Sequence, residues 1–173
     1  MSVTRVKRAA AQVLAVAAAV GYGCGCQGAP PAGSGDCGAP PAVLEVGSGR
    51  GSFTPVADGD RIYVVCGSQG GKHVDLQLRA IGVATRFRFA AMLTDAITGL
   101  SLASTTPTNT FVLRPVQSGC QSETLPLLVQ APGPDITDRD AVLDVRITDE
   151  TGETAVDSRR VVIDTSRAPC VGR

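Results

Sequence analysis

The sequence predicts an all-β protein: a two-sheet antiparallel sandwich of immunoglobulin-like or fibronectin-III-like kind, behind a signal peptide and a flexible linker. Three observations point there. From Val43 onward the hydrophobic period is two, the repeat of a half-buried strand, and no later segment carries the 3.6 period of an amphipathic helix. Turn signals rich in Gly, Asp and Pro cut the chain into eight or nine short runs at regular spacing. Apolar residues make up 43% of the 173, while aromatic residues make up 3% and Trp is absent. A core of ordinary size is therefore affordable, but it must be built from Val, Leu, Ile and Ala.

The chain opens with a leader. Residues 1–8 are short and cationic, carrying Arg5, Lys7 and Arg8. Residues 9–20, AAAQVLAVAAAV, are apolar but too few to span a hydrocarbon core of ~30 Å, which takes about 20 residues. They suit the h-region of an export signal. Residues 21–26, GYGCGC, follow. They resemble the lipobox of bacterial lipoproteins, in which a small residue precedes a cysteine that is acylated and becomes the new N-terminus. The resemblance implies a signal peptide over 1–23 and a lipid on Cys24, with Cys26 the alternative. The match departs from the family pattern: Leu and then Ala or Ser usually precede the cysteine by three and two positions, where Gly21 and Tyr22 stand before Cys24. Acyl chains would supply the membrane affinity lost on cleavage. Plain cleavage and secretion is the alternative. Residues 24–41 are rich in Gly, Pro and Ala and read as a tether, since they cannot bury enough surface to offset their ordering entropy.

The body is expected over 42–166, with a tail at 167–173. Residues 43–46 make a short strand, 47–52 (GSGRGS) a glycine-rich turn, and 53–56 a second short strand. A buried strand at 62–65 ends at Cys66. A turn at 67–73 follows, holding Gln69, Gly70, Gly71 and the chain's single histidine, His73. Over 73–80, Val74, Leu76, Leu78 and Ala80 fall on one face and His73, Asp75, Gln77 and Arg79 on the other. The same alternation over 85–94 points Phe87, Phe89, Ala91 and Leu93 inward. Shorter strands follow at 100–103, 111–114 and 125–129, with Cys120 in a polar link. A last hairpin pairs 142–148, with Leu143, Val145 and Ile147 inward, to 155–163. LTDAITG (93–99) and ITDETG (147–152) share turn chemistry: Asp and Thr cap the bend and Gly supplies positive φ.

The run DGDRIYVVCGSQGGKHVDLQLRA resembles a pattern of uncharacterised exported proteins of myxobacteria and their relatives. Its G-x-Q-G-G-x-H-V is met by Gly67, Gln69, Gly70, Gly71, His73 and Val74, and a later TD-x-x-G hairpin by Thr148, Asp149 and Gly152. The resemblance implies an immunoglobulin-like sandwich in a lipoprotein and brings no activity with it.

Candidate chemistry is sparse. One histidine and no C-x-x-C leave too few ligands for zinc. Scattered cysteines in an exported chain read as disulfides. Among Cys37, Cys66, Cys120 and Cys170 three pairings are open, and the favoured one joins Cys66 to Cys120 and Cys37 to Cys170. Without a G-x-S-x-G elbow no hydrolase nucleophile is marked, although Asp75 stands where it could orient the His73 ring. A phosphate loop at 47–52 would need a helix after it, and a strand pattern follows instead. No cofactor is assigned; calcium is the metal that would suit the acidic turns at Asp58 and Asp60, at Asp135, Asp138 and Asp140, and at Asp149, Glu150 and Glu153. With three basic residues in the leader the body is slightly acidic, which argues against nucleic acid. The expected protein is a non-enzymatic, membrane-tethered module of the cell envelope. Its partners are the membrane, through the lipid, and other envelope proteins; its oligomeric state is left open. The alternative is a small-ligand or metal-binding domain using Gln69, Gly70, Gly71 and His73.

Overall fold

The computed structural model describes residues 37–39, 41–67, 71–105, 108–129 and 136–166. Among them are eleven strands and no helix, as the period-two pattern requires: β1 (Val43–Ser48), β2 (Thr54–Pro55), β3 (Arg61–Cys66), β4 (Lys72–Ile81), β5 (Arg86–Asp95), β6 (Ser101–Thr105), β7 (Phe111–Val116), β8 (Gly119–Ser122), β9 (Leu125–Leu128), β10 (Asp140–Asp149) and β11 (Thr154–Asp164). β8 is a correction: its residues, read as a polar link around Cys120, form a strand because β7 and β4 flank them on both sides.

The pairing departs from two separate antiparallel sheets in two ways. Successive neighbours β4, β3, β11, β10, β5, β7 and β8 close on themselves through the β8–β4 pair, so the sheet is a ring. One pair in that ring, β3 with β11, is parallel. β6 hangs on β5, β9 hangs on β4, and a bridge between Ala103 and Val129 joins those two flaps. β1 and the two-residue β2 extend the sheet from β4.

The core lies inside the ring and follows the alternation. Val74, Leu76, Leu78 and Ala80 of β4 are buried, as are Phe87, Phe89, Ala91 and Leu93 of β5 and Leu143, Val145 and Ile147 of β10. Phe111 packs edge-on against Phe89, with ring centroids 5.1 Å apart, and is tilted against Phe87 at 5.9 Å. Three of the four Phe residues thus gather in one place, and aliphatic side chains fill the rest.

Cys37 corrects the tether border. It is 2% exposed, its N–H donates to the Val83 carbonyl, and its own carbonyl accepts from Gly82. Its sulfur is bonded to Cys120 across 83 residues of sequence. The packed domain therefore reaches back at least to Cys37. The favoured cysteine pairing is overturned by the same bond, since Cys120 joins Cys37 and not Cys66. Cys66 is also disulfide-bonded. Cys24, Cys26 and Cys170 lie outside the described residues.

Candidate functional site

The outward face of β4 should be the wet side of a half-buried strand, yet it is largely covered. His73 and Asp75 side chains are each 12% exposed, and Gln77 is 3% exposed. The cover is the turn between β1 and β2. Val46, Gly47 and Ser48 pair with Leu78, Gln77 and Leu76, and the chain then folds back through residues 49–53 over the strand it has just paired with. Two contacts hold it there. The Phe53 ring lies against Gly47, where a Cβ would come within 2.6 Å of it, and carries the Arg79 guanidinium 4.1 Å above its centre. Further along, Arg50 Nε donates to Asp75 Oδ2 at 2.6 Å.

Asp75 is the hub of this face. Its Oδ2 takes Arg50 and its Oδ1 stands 3.1 Å from His73 Nε2. The alternation of β4 puts His73 and Asp75 on the same face, so the contact follows from their spacing of two residues. Gly67 N–H donates to the Gly71 carbonyl, and a Cβ on Gly67 would lie 3.4 Å from His73 Cε1. The glycine turn thus closes against the imidazole ring at its described end. Gln69 and Gly70 lie outside the described residues.

A cavity of about 610 Å³ opens between the β1–β2 turn, β3 and β4. Ser48, Arg50, Thr54, Tyr63, Val65 and Asp75 are among its lining residues. Arg50 and Tyr63 have no counterpart among the residues singled out from sequence. Arg50 sits in a glycine run that looks like a plain turn, and only the fold-back brings it to Asp75, 25 residues away. Nearby, Gln77 Oε1 is buried without a hydrogen-bond partner, as is Arg79 Nε.

Several carboxylates of the acidic turns bond to nearby N–H groups and arginines. Asp95 and Asp149, buried at 3% and 4% exposure, are turn caps. Asp95 Oδ1 accepts from the N–H groups of Ile97 and Thr98, and Oδ2 from Arg139. The Thr98 N–H contributes most to holding its pKa at about 2; burial, the next largest influence, pushes upward and is outweighed by the Thr98, Ile97 and Arg139 hydrogen bonds together. For Asp149 burial is the largest influence and pushes upward. The N–H groups of Ala84, Thr151 and Glu153 and the Thr151 hydroxyl outweigh it and leave the pKa below the ordinary value. Asp58 accepts from the Arg160 N–H, Asp60 from the Ala57 N–H, and Asp138 from the Arg61 guanidinium. Asp135 lies outside the described residues. Among the described residues no three His, Cys, Asp or Glu side chains converge as a metal would need.

Two other clefts are present. One of about 700 Å³ lies over β5, β10 and β11, with Met92 45% exposed and Val156 59% exposed at its rim. Another, about 610 Å³, lies at the β10–β11 turn beside Arg86 and Arg88.

No family model matches the chain. No curated protein matches it either. Among solved structures the chain is similar to the CooA pilin subunit from enterotoxigenic Escherichia coli, at a TM-score of 0.33 and 8% identity, over 70% of this chain and 99% of that one. A likeness this shallow bears on neither fold nor function.

Proposed function

We propose that the protein is an exported, non-catalytic β module of the cell envelope. It is held to the membrane by a lipid on Cys24 (or Cys26) and acts through contacts made by its surface. The observation that carries this reading is the use made of the acidic side chains. Asp58, Asp60, Asp95, Asp149 and Asp157 each accept a backbone N–H and hold the frame together. In this reading the ring is a flattened sandwich. One face is β1, β4 and β9, and the other is β11, β10, β5 and β6, in the manner of an immunoglobulin-like domain. The leader, the lipobox-like GYGCGC and the resemblance to exported lipoproteins of myxobacteria support the anchor. Mass spectrometry of the mature N-terminus tests it. A diacylglyceryl cysteine at position 24 or 26 is expected, and an unmodified N-terminus further along refutes the anchor.

A second reading is a small-ligand domain at the turn before β4. It is favoured by the cavity lined by Asp75, whose Oδ1 stands 3.1 Å from His73 Nε2. Small-molecule uptake lost in a His73→Ala variant of unchanged melting temperature supports it. Loss of folding with no separate effect on uptake removes it.

A further inference from the structure

We infer that the cavity beneath the β1–β2 turn is a carboxylate-binding site, in which Arg50 grips the planar head of a small ligand. The inference rests on the ligand-binding reading and moves the ligand group from His73 to Arg50.

Asp75 has both oxygens engaged, one by Arg50 and one by His73, so it is a counter-charge and not a free acceptor. His73 is turned toward Asp75 and is mostly buried. Arg50 is the reverse. It spends only its Nε–H on Asp75, and its side chain is 68% exposed. Among the described residues its Nη1 and Nη2 groups make no hydrogen bond. A guanidinium held at Nε keeps a flat pair of N–H donors pointing away from its partner. That geometry matches the two oxygens of a carboxylate, which a lysine ammonium would not.

The surroundings fit the rest of such a ligand. The hydroxyls of Ser48 and Thr54 line the same cavity and offer neutral donors beside the head group. Tyr63 and Val65, outward residues of β3 and half-buried, offer an apolar wall. A volume of about 610 Å³ admits a compact acid, within the usual range for small-ligand sites.

The test is calorimetric titration of the purified full-length chain with phenylacetate, which joins a planar carboxylate to a flat apolar body. Its neutral isostere phenylacetamide and inorganic phosphate serve as comparisons. Saturable binding of phenylacetate, with both comparisons weaker by about tenfold or more, is expected from the loss of charge-assisted bonds. Arg50→Ala should lower affinity by at least that factor at an unchanged melting temperature, and Arg50→Lys should fall between. Absent binding, equal binding of the amide or of phosphate, or an Arg50→Ala variant that binds like the parent overturns the proposal. If His73→Ala removes binding while Arg50→Ala leaves it intact, the ligand-binding reading survives and the assignment to Arg50 fails.

Discussion

Asp95 and Asp149 occupy the ends of two paired strands and perform the same task there. β5 and β10 run antiparallel, with Asp95 opposite Ala141 and Asp149 opposite Phe87, so the two carboxylates close opposite ends of one ladder. Each bends the following turn by accepting N–H groups two and three or four residues on, and Gly99 and Gly152 complete the bends at φ of 71° and 92°. This was legible in LTDAITG and ITDETG because turn capping is local. The Arg50–Asp75 bond was not legible, since nothing in GSGRGS says which strand the turn will fold onto. The caps also predict how stability responds to acid. Both carboxylates are held below the ordinary 3.8, Asp95 at about 2. A folded pKa below the unfolded one adds stability that is complete above the unfolded value and is lost as pH falls through the folded one. Thermal melts should be flat near neutrality and fall between pH about 4 and about 2, with a shallower fall in Asp95→Asn and in Asp149→Asn.

At the scale of elements, the disulfide does not act alone. Cys37 and Cys120 meet beside the bend that leads out of β4, and two glycines make room for them. Gly82 has φ +70°, and a Cβ there would stand 2.6 Å from the Pro41 carbonyl oxygen; Gly119 has φ +114°, and a Cβ there would stand 2.7 Å from the Ala80 carbonyl oxygen. Both obstacles are backbone, which cannot move aside as a side chain can. Gly82→Ala should therefore cost about 2 kcal/mol or more, measured by chemical denaturation with the disulfide intact. A neutral result would mean that the segment before β1 shifts freely. The same corner explains why β8 was missed. Gly-Cys-Gln-Ser has no run of β-branched or aromatic residues, and it becomes a strand because β7 and β4 present edges on both sides of it.

At the scale of the whole molecule, closure governs the edges. Closure pairs the ring strands with one another, while among the described residues β2, β6 and β9 each have one ladder partner and β1 meets β11 without a ladder. There Asp157 Oδ2 accepts the Val46 N–H at 2.8 Å while Arg159 pairs with the same carboxylate. A side chain thus stands where a ladder bond would be, in a seam that would otherwise offer an unpaired N–H to another chain. Closure also ties in the segment before β1. A chain beginning at residue 42, the border that composition suggests, loses Cys37. It should be less stable than one beginning at residue 34 by about 2–4 kcal/mol, the usual contribution of a native disulfide. Equal denaturation midpoints would show that Cys37 adds nothing and restore the border at 42.

What the sequence determined by itself was the all-β class, the inward sets of β4, β5 and β10 and the chemistry of the two Asp turns. All of these follow from contacts within a few residues: a period of two sorts side chains to faces, and Asp, Thr and Gly shape a bend wherever they occur. The tertiary structure alone decided the Cys37–Cys120 bond, the strand at β8, the closure of the ring through β8 and β4, and the meeting of Arg50 with Asp75. Each of these joins segments far apart in the chain. Which edges and sulfurs come together depends on how the strands are ordered around the core, and alternation along a single strand carries no information about that order.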